Sequence, residues 1–116
     1  MERSYPENEL ILVNETFFID GSIEKEWLEY FHNQYLLSIN QIIEFEQYIF
    51  SEINQKFDQG DKSFAFQFLI YTDKYNDQDA INIIESERLK HAQKFNKKAI
   101  SIVTLMNVRK MELITN

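Results

Sequence analysis

The side chain with the most unusual setting for chemistry is Glu15. It stands in LILVNETFFI, where Ile11, Val13, Phe17 and Ile19 share its side of an extended chain. If that face is buried, desolvation raises the carboxyl pKa and makes Glu15 a candidate acid or base. The alternative is a strand-end or ion-paired glutamate with no chemical role. The histidines are His32 and His91, and neither has HxxxH or HExxH spacing, so no metal site is implied. Each falls at the edge of a helical apolar stripe, where a half-exposed ring is expected.

Other machinery is missing. There is no Cys, which removes thiolate nucleophiles, disulfides and Cys-ligated metals, and suits a reducing compartment. No GxSxG, GxGxxG or GxxxxGK[ST] occurs, and two glycines cannot build a phosphate cradle. No cofactor is implied. Glu24, Glu26, Glu29, Glu85 and Glu87 are expected on solvated helix surfaces. A second polar set consists of Asn14, Thr16 and Gln67, with Tyr71 and Ser101 nearby. These groups suit hydrogen bonding across an interface, or the wall of a partly polar cavity.

The elements that position these residues follow from periodicity. SFAFQFLIYT (Ser63–Thr72) alternates cleanly, with Phe64, Phe66, Phe68 and Ile70 on one side and Ala65, Gln67, Leu69 and Tyr71 on the other. Leu10–Ile19 is a second strand, Ala99–Val108 a third, and Ile42–Ile53 reads as a fourth from its β-branched and aromatic content. Glu24–Ile39 has helical spacing through Trp27, Leu28, Phe31, Tyr35 and Ile39, with Ser22 as N-cap and Asn40 as stop. Ala80–Phe95 is the second helix, capped by Asp77 or Asp79, with Ile81, Ile84, Ala92 and Phe95 in one arc, Leu89 near its edge, and Arg88 snorkelling or pairing. Asp58-Gln59-Gly60-Asp61 marks a turn, and Met1–Glu9 and Met111–Asn116 are loose termini. The order βαββαβ predicts an α+β, ferredoxin-like domain: a four-stranded antiparallel sheet in strand order 4-1-3-2, with two helices on one face. Its other face is left bare for a partner or ligand.

Composition sets the frame. The 116 residues favour a single domain with a core at about 10–108, and 44% hydrophobic and 15% aromatic content is globular. A net charge of −7 repels phosphate backbones, so nucleic acid is not an expected partner; the basic run Arg88, Lys90, Lys94, Lys97, Lys98 reads as a cationic helix C-terminus. No apolar run reaches ~18 residues and no leader pattern opens the chain, so a soluble, cytoplasmic protein with no membrane partner is expected.

Several short matches occur in a consistent order. Asn14-Glu15-Thr16, Trp27, Phe45, Gln67-Phe68 and Phe95 followed by Ile100–Met106 stand where a small bacterial family shows Asn-Val-Thr, a helix-one Trp, a strand-opening aromatic, Gln-Tyr and Phe-Gly…Phe-Arg-Thr-Leu. Over about Ile11–Val108 the chain resembles that family, domain of unknown function 4286, related in shape to dimeric α/β-barrel proteins. It departs at Tyr35-Leu36-Leu37, where the family often has His-Ile-Pro, at Asn96 for Gly, and at Val103 for Arg. The resemblance implies a ferredoxin-like fold and a homodimer, and it transfers no catalytic residue.

Two functions are expected from this. One is a homodimeric, non-catalytic structural or interaction module using the open sheet face. The alternative is a small-molecule-binding protein of the dimeric α/β-barrel type, or an enzyme like the cofactor-independent monooxygenases, with Asn14, Glu15, Thr16, Gln67, Tyr71 and His91 as candidate pocket or sheet-face residues. An RNA-binding sheet would need outward aromatics beside basic charge.

Overall fold

Alternation of bulky apolar side chains makes two long strands pair along their whole length. The computed structural model describes residues 10–45, 47–54, 60–72, 75, 77–112 and 114. In it β1 (Leu10–Ile19) lies antiparallel to β3 (Lys62–Tyr71), in a register that sets Glu15 opposite Phe66 and Asn14 opposite Gln67. β4 (Ala99–Asn107) pairs with the other edge of β1, and the short β2 (Tyr48–Glu52) with the outer edge of β3. The sheet order β2-β3-β1-β4 is the one expected, and with the helices on one face it forms a ferredoxin-like α+β fold.

The helical layer begins as a short 3-10 turn, Gly21–Ile23. Asp20 caps this turn by accepting from the Ser22 backbone N–H at 2.9 Å and the Ser22 hydroxyl at 2.7 Å, so the cap is Asp20 and Ser22 its donor. α1 (Glu24–Tyr30), a π turn (Phe31–Tyr35) and α2 (Leu36–Ile42) then follow without a break. The wider π turn shifts the face by one residue, so Tyr30, Phe31, Tyr35, Leu36 and Ile39 all reach the core. The helix passes the expected stop at Asn40, and the strand proposed from Ile42 starts only at Tyr48: Ile43 instead closes α2 and is buried beneath it.

α3 (Asp77–Phe95) begins at Asp77, so neither Asp77 nor Asp79 stands before it as a cap. Its inward face is Ala80, Ile84, Glu87, His91 and Phe95, while Leu89, Ala92 and Ile81 face out. The arc inferred from apolar residues alone was rotated, because two polar residues take core positions. Asn96 ends the helix with φ of 56°, a left-handed conformation that Asn tolerates better than most residues. The turn 58–61 and the two loose termini lie largely outside the described residues.

The core is aromatic. Trp27, fully buried, stacks on Phe31 and Phe64 with centroids 5.4 and 5.2 Å apart, and Phe17 meets Phe31 and Tyr35 edge-on. Trp27→Ala is expected to cost about 3–5 kcal/mol in urea unfolding, since it empties the centre of this cluster. A loss below about 1 kcal/mol would show that the cluster does not organise the core.

Candidate functional site

The helix-side face of β1 and β4 carries a polar cluster inside the aromatic core. Glu15 is 1% exposed. The Tyr35 hydroxyl, at the end of the π turn, donates to Glu15 Oε1, and the Ser101 hydroxyl donates to Oε2 at 2.7 Å. Arg88 reaches down from α3: its Nε donates to Ser101 Oγ at 2.9 Å and lies 3.6 Å from Glu15 Oε2. Its Nη2 donates to the Ser101 carbonyl oxygen at 2.6 Å, and its Nη1 pairs with Glu85. Each carboxylate oxygen therefore meets a hydroxyl donor on another element, which is what keeps so buried an acid tolerable.

Burial still dominates its proton affinity. Desolvation pushes the Glu15 carboxyl up to about 7, against the lowering effects of Tyr35, Ser101 and Arg88. Tyr35 is raised by burial and by the neighbouring Glu15 carboxylate. His91, expected half-exposed, is 3% exposed: its Nε2 accepts from the Trp27 indole N–H at 2.8 Å, and Tyr35, Phe17 and Phe95 pack around the ring. Burial, aided by Arg88, lowers its pKa to about 4, so it is neutral near pH 7. Glu87, expected in solvent, is also buried and bonds Lys90 at 3.2 Å. His32 is exposed.

Above the cluster, between α3 and β4, lies an open cleft of about 380 Å³ whose lining includes Arg88, Leu89, His91, Ala92, Ile100 and Ser101. Glu15 is not among the lining residues, but Ser101 and Arg88, which are, both contact its carboxyl. The arrangement can hold a proton on Glu15, and it places the Arg88 guanidinium between that carboxyl and the cleft. Among the described residues no group of three or more His, Asp or Glu is placed to hold a metal ion.

The sequence-predicted residues divide between two faces. Glu15 and His91 lie on the helix side, bridged by Tyr35. Asn14, Thr16 and Gln67 lie on the open side, where Gln67 Nε2 donates to Asn14 Oδ1 at 3.0 Å and Asn14 Nδ2 donates to Thr16 Oγ1 at 3.1 Å. Tyr71 stands at the far end of β3, beside a separate cleft of about 160 Å³ with Ile43, Phe45 and Tyr75. Sequence reasoning treated Tyr35 as plain core and missed the Trp27–His91 bond. The available signal was that a tyrosine hydroxyl and an indole N–H, once buried, each need a partner.

Residues 10–109 match the family described as Domain of unknown function (DUF4286). The chain belongs to this family. No curated protein matches the sequence. Among solved structures, the de novo designed protein Foldit4 is similar at 13% identity and TM-score 0.57, over 87% of this chain and 100% of that one. A VAO-type flavoprotein from Myceliophthora thermophila C1 is similar at 10% identity and TM-score 0.58, over 92% of this chain but 19% of its own. A dimeric ferredoxin-like protein from an uncultured marine organism gives 9% identity and TM-score 0.49, over 90% and 99%. At these identities the likeness is one of fold. In this DUF4286 chain Val103 lies directly across from Glu15, and the guanidinium beside that carboxyl is that of Arg88. No helix among the described residues is long and apolar enough to cross a membrane.

The two shifted groups oppose each other in stability. Glu15, raised from 4.5 to about 7, is stabilising when protonated, and that contribution is lost as pH rises from about 4.5 through 7. His91, lowered from 6.5 to about 4, is stabilising when neutral, and that contribution is lost as pH falls from about 6.5 through 4. Between pH 4.5 and 6.5 the slopes cancel. Glu15→Gln is expected to expose the His91 slope, losing roughly 2–3 kcal/mol between pH 6.5 and 4.5 relative to wild type in urea unfolding. Parallel profiles for the two proteins would contradict the Glu15 assignment.

Proposed function

We propose that this chain is a homodimeric, non-catalytic interaction module whose open sheet face is buried against that of a second copy. The observation that carries this reading is the character of the face. Phe18, Ile49, Ile100, Ile102 and Met106 are each between 37% and 57% exposed there, around the Asn14–Gln67–Thr16 hydrogen bonds. Across β1, β3 and β4 no Asp, Glu, Lys or Arg stands on it, in a chain with 27% charged residues. A two-fold interface sets a patch against itself, so any charge on it would meet its own kind. An uncharged apolar face with a narrow polar centre is self-complementary in that sense, and it is too apolar to suit permanent contact with water.

The test is light scattering on the eluting protein. The wild type is expected at 28 kDa, twice the 14.0 kDa chain. Ile102→Asp sets two carboxylates into the interface and is expected to give a folded monomer. A wild-type monomer at tens of micromolar would overturn the reading.

A second reading is favoured by the cleft over Arg88 and Ser101. It is a small-molecule-binding protein, or an enzyme of the cofactor-independent monooxygenase kind, in which Glu15 sets the charge of the cleft wall through Ser101. Native mass spectrometry of freshly purified protein would show a bound small molecule that is lost in Arg88→Ala. Bare chain mass in the wild type would remove its support.

A further inference from the structure

His91 has one nitrogen to spare. The Trp27 indole can only donate, so the His91 Nε2 that meets it at 2.8 Å must carry a lone pair. The ring proton therefore sits on Nδ1, because an imidazolium would set two N–H groups against each other. Burial, which lowers the His91 pKa to about 4, keeps the ring uncharged as well. Nδ1 makes no hydrogen bond among the described residues. Among them no side-chain nitrogen or oxygen sealed from solvent lacks a partner, so Nδ1 is not sealed in. His91 is only 3% exposed, yet it lines the cleft between α3 and β4, which gives this donor its outlet.

The walls of the cleft limit what can meet that donor. Leu89, Ala92 and Ala99 supply an apolar surface, and the volume of about 380 Å³ falls in the range of small-molecule sites. Arg88 adds a cation, but its charge is already matched: Nη1 pairs with Glu85, and Nε lies 3.6 Å from Glu15 Oε2. A bound anion would meet those two carboxylates, and a bound cation would meet the guanidinium. A neutral oxygen takes the Nδ1 proton with no charge to bury. A hydroxyl would bring a second proton to place, and a carbonyl brings none. Any molecule that displaces solvent from Nδ1 without an acceptor of its own leaves the donor unpaired, at a cost in affinity.

We infer that the cleft binds a small, neutral, largely apolar molecule through a carbonyl oxygen that accepts from His91 Nδ1–H. Trp27 holds the ring proton in place from the far side of the imidazole. This narrows the small-molecule reading of the same cleft and rests on it.

The experiment uses the full chain with ¹⁵N-labelled histidine rings, in which exposed His32 is the internal control. The probes are acetophenone, α-methylstyrene, in which a methylene replaces the oxygen, and benzoate, which carries a charge. The free protein is expected to show His91 as the Nδ1–H tautomer at neutral pH. Acetophenone is expected to shift that resonance and leave His32 unmoved. It is expected to bind about five- to tenfold more tightly than α-methylstyrene, and more tightly than benzoate. Ala92→Trp, at an exposed position of α3, is expected to fill the cleft and abolish the response in a folded protein. An Nε2–H tautomer in the free protein, tighter binding of benzoate, or a response that survives Ala92→Trp would each overturn the inference. Equal affinity for acetophenone and α-methylstyrene, lost for both in Ala92→Trp, would overturn it and leave the small-molecule reading standing. No response to any probe at millimolar concentration would remove both.

Discussion

A twisted four-stranded sheet has two faces, and this chain supplies helices for one. Everything bulky and aromatic follows from that asymmetry. Ile11, Val13, Phe17 and Ile19 of β1 and Phe64, Phe66, Phe68 and Ile70 of β3 turn toward the helices and are almost completely buried. Leu12, Asn14, Thr16, Phe18, Ala65, Gln67 and Leu69 turn to the other side and are partly exposed. A one-residue slip in the pairing of β1 with β3 would exchange the two sets, so the register is held by the difference between the faces. The same asymmetry leaves an uncharged sheet surface that the described residues leave partly exposed.

Within the sealed layer the least expected feature is a carboxyl group. Glu15 occupies a core position between Val13 and Phe17, and its neighbours are arranged around it. The π turn brings Tyr35 to one oxygen, Ser101 of β4 meets the other, and Arg88 of α3 fastens Ser101 from above. Three separate elements are thereby tied to β1 at one residue. Its proton affinity lies near neutrality, so the charge in the middle of the fold changes with pH, while His91 beside it stays neutral.

Much of this was legible in the sequence where one period dominated. The alternation in SFAFQFLIYT and LILVNETFFI located both central strands to within a residue, and the order of elements gave the sheet topology. Legibility ended where two periods fitted the same residues. Ile43, Phe45 and Ile49 suit either a strand or the end of a helix, and the hydrogen bonds of α2 decided for the helix at Ile42. It also ended where polar residues were buried. Glu87 and His91 look like surface by type, yet α3 turns them inward and leaves Leu89 outside, because the core offers His91 an indole donor that Leu89 could not use. A π turn leaves no mark in composition, so Tyr35 could be placed in the core but its contact with Glu15 could not be foreseen.

The claim that matters most is that the bare sheet face meets its own copy. Methyl NMR with an inert gadolinium chelate in the solvent reads this directly, because relaxation reports how closely water approaches each side chain. If the faces are paired, the methyls of Ile49, Ile100, Ile102 and Met106 will relax as slowly as that of buried Ile84, while Leu89 on the outer face of α3 relaxes fast. If the sheet-face methyls relax as fast as Leu89, the face is open to water and the account is wrong.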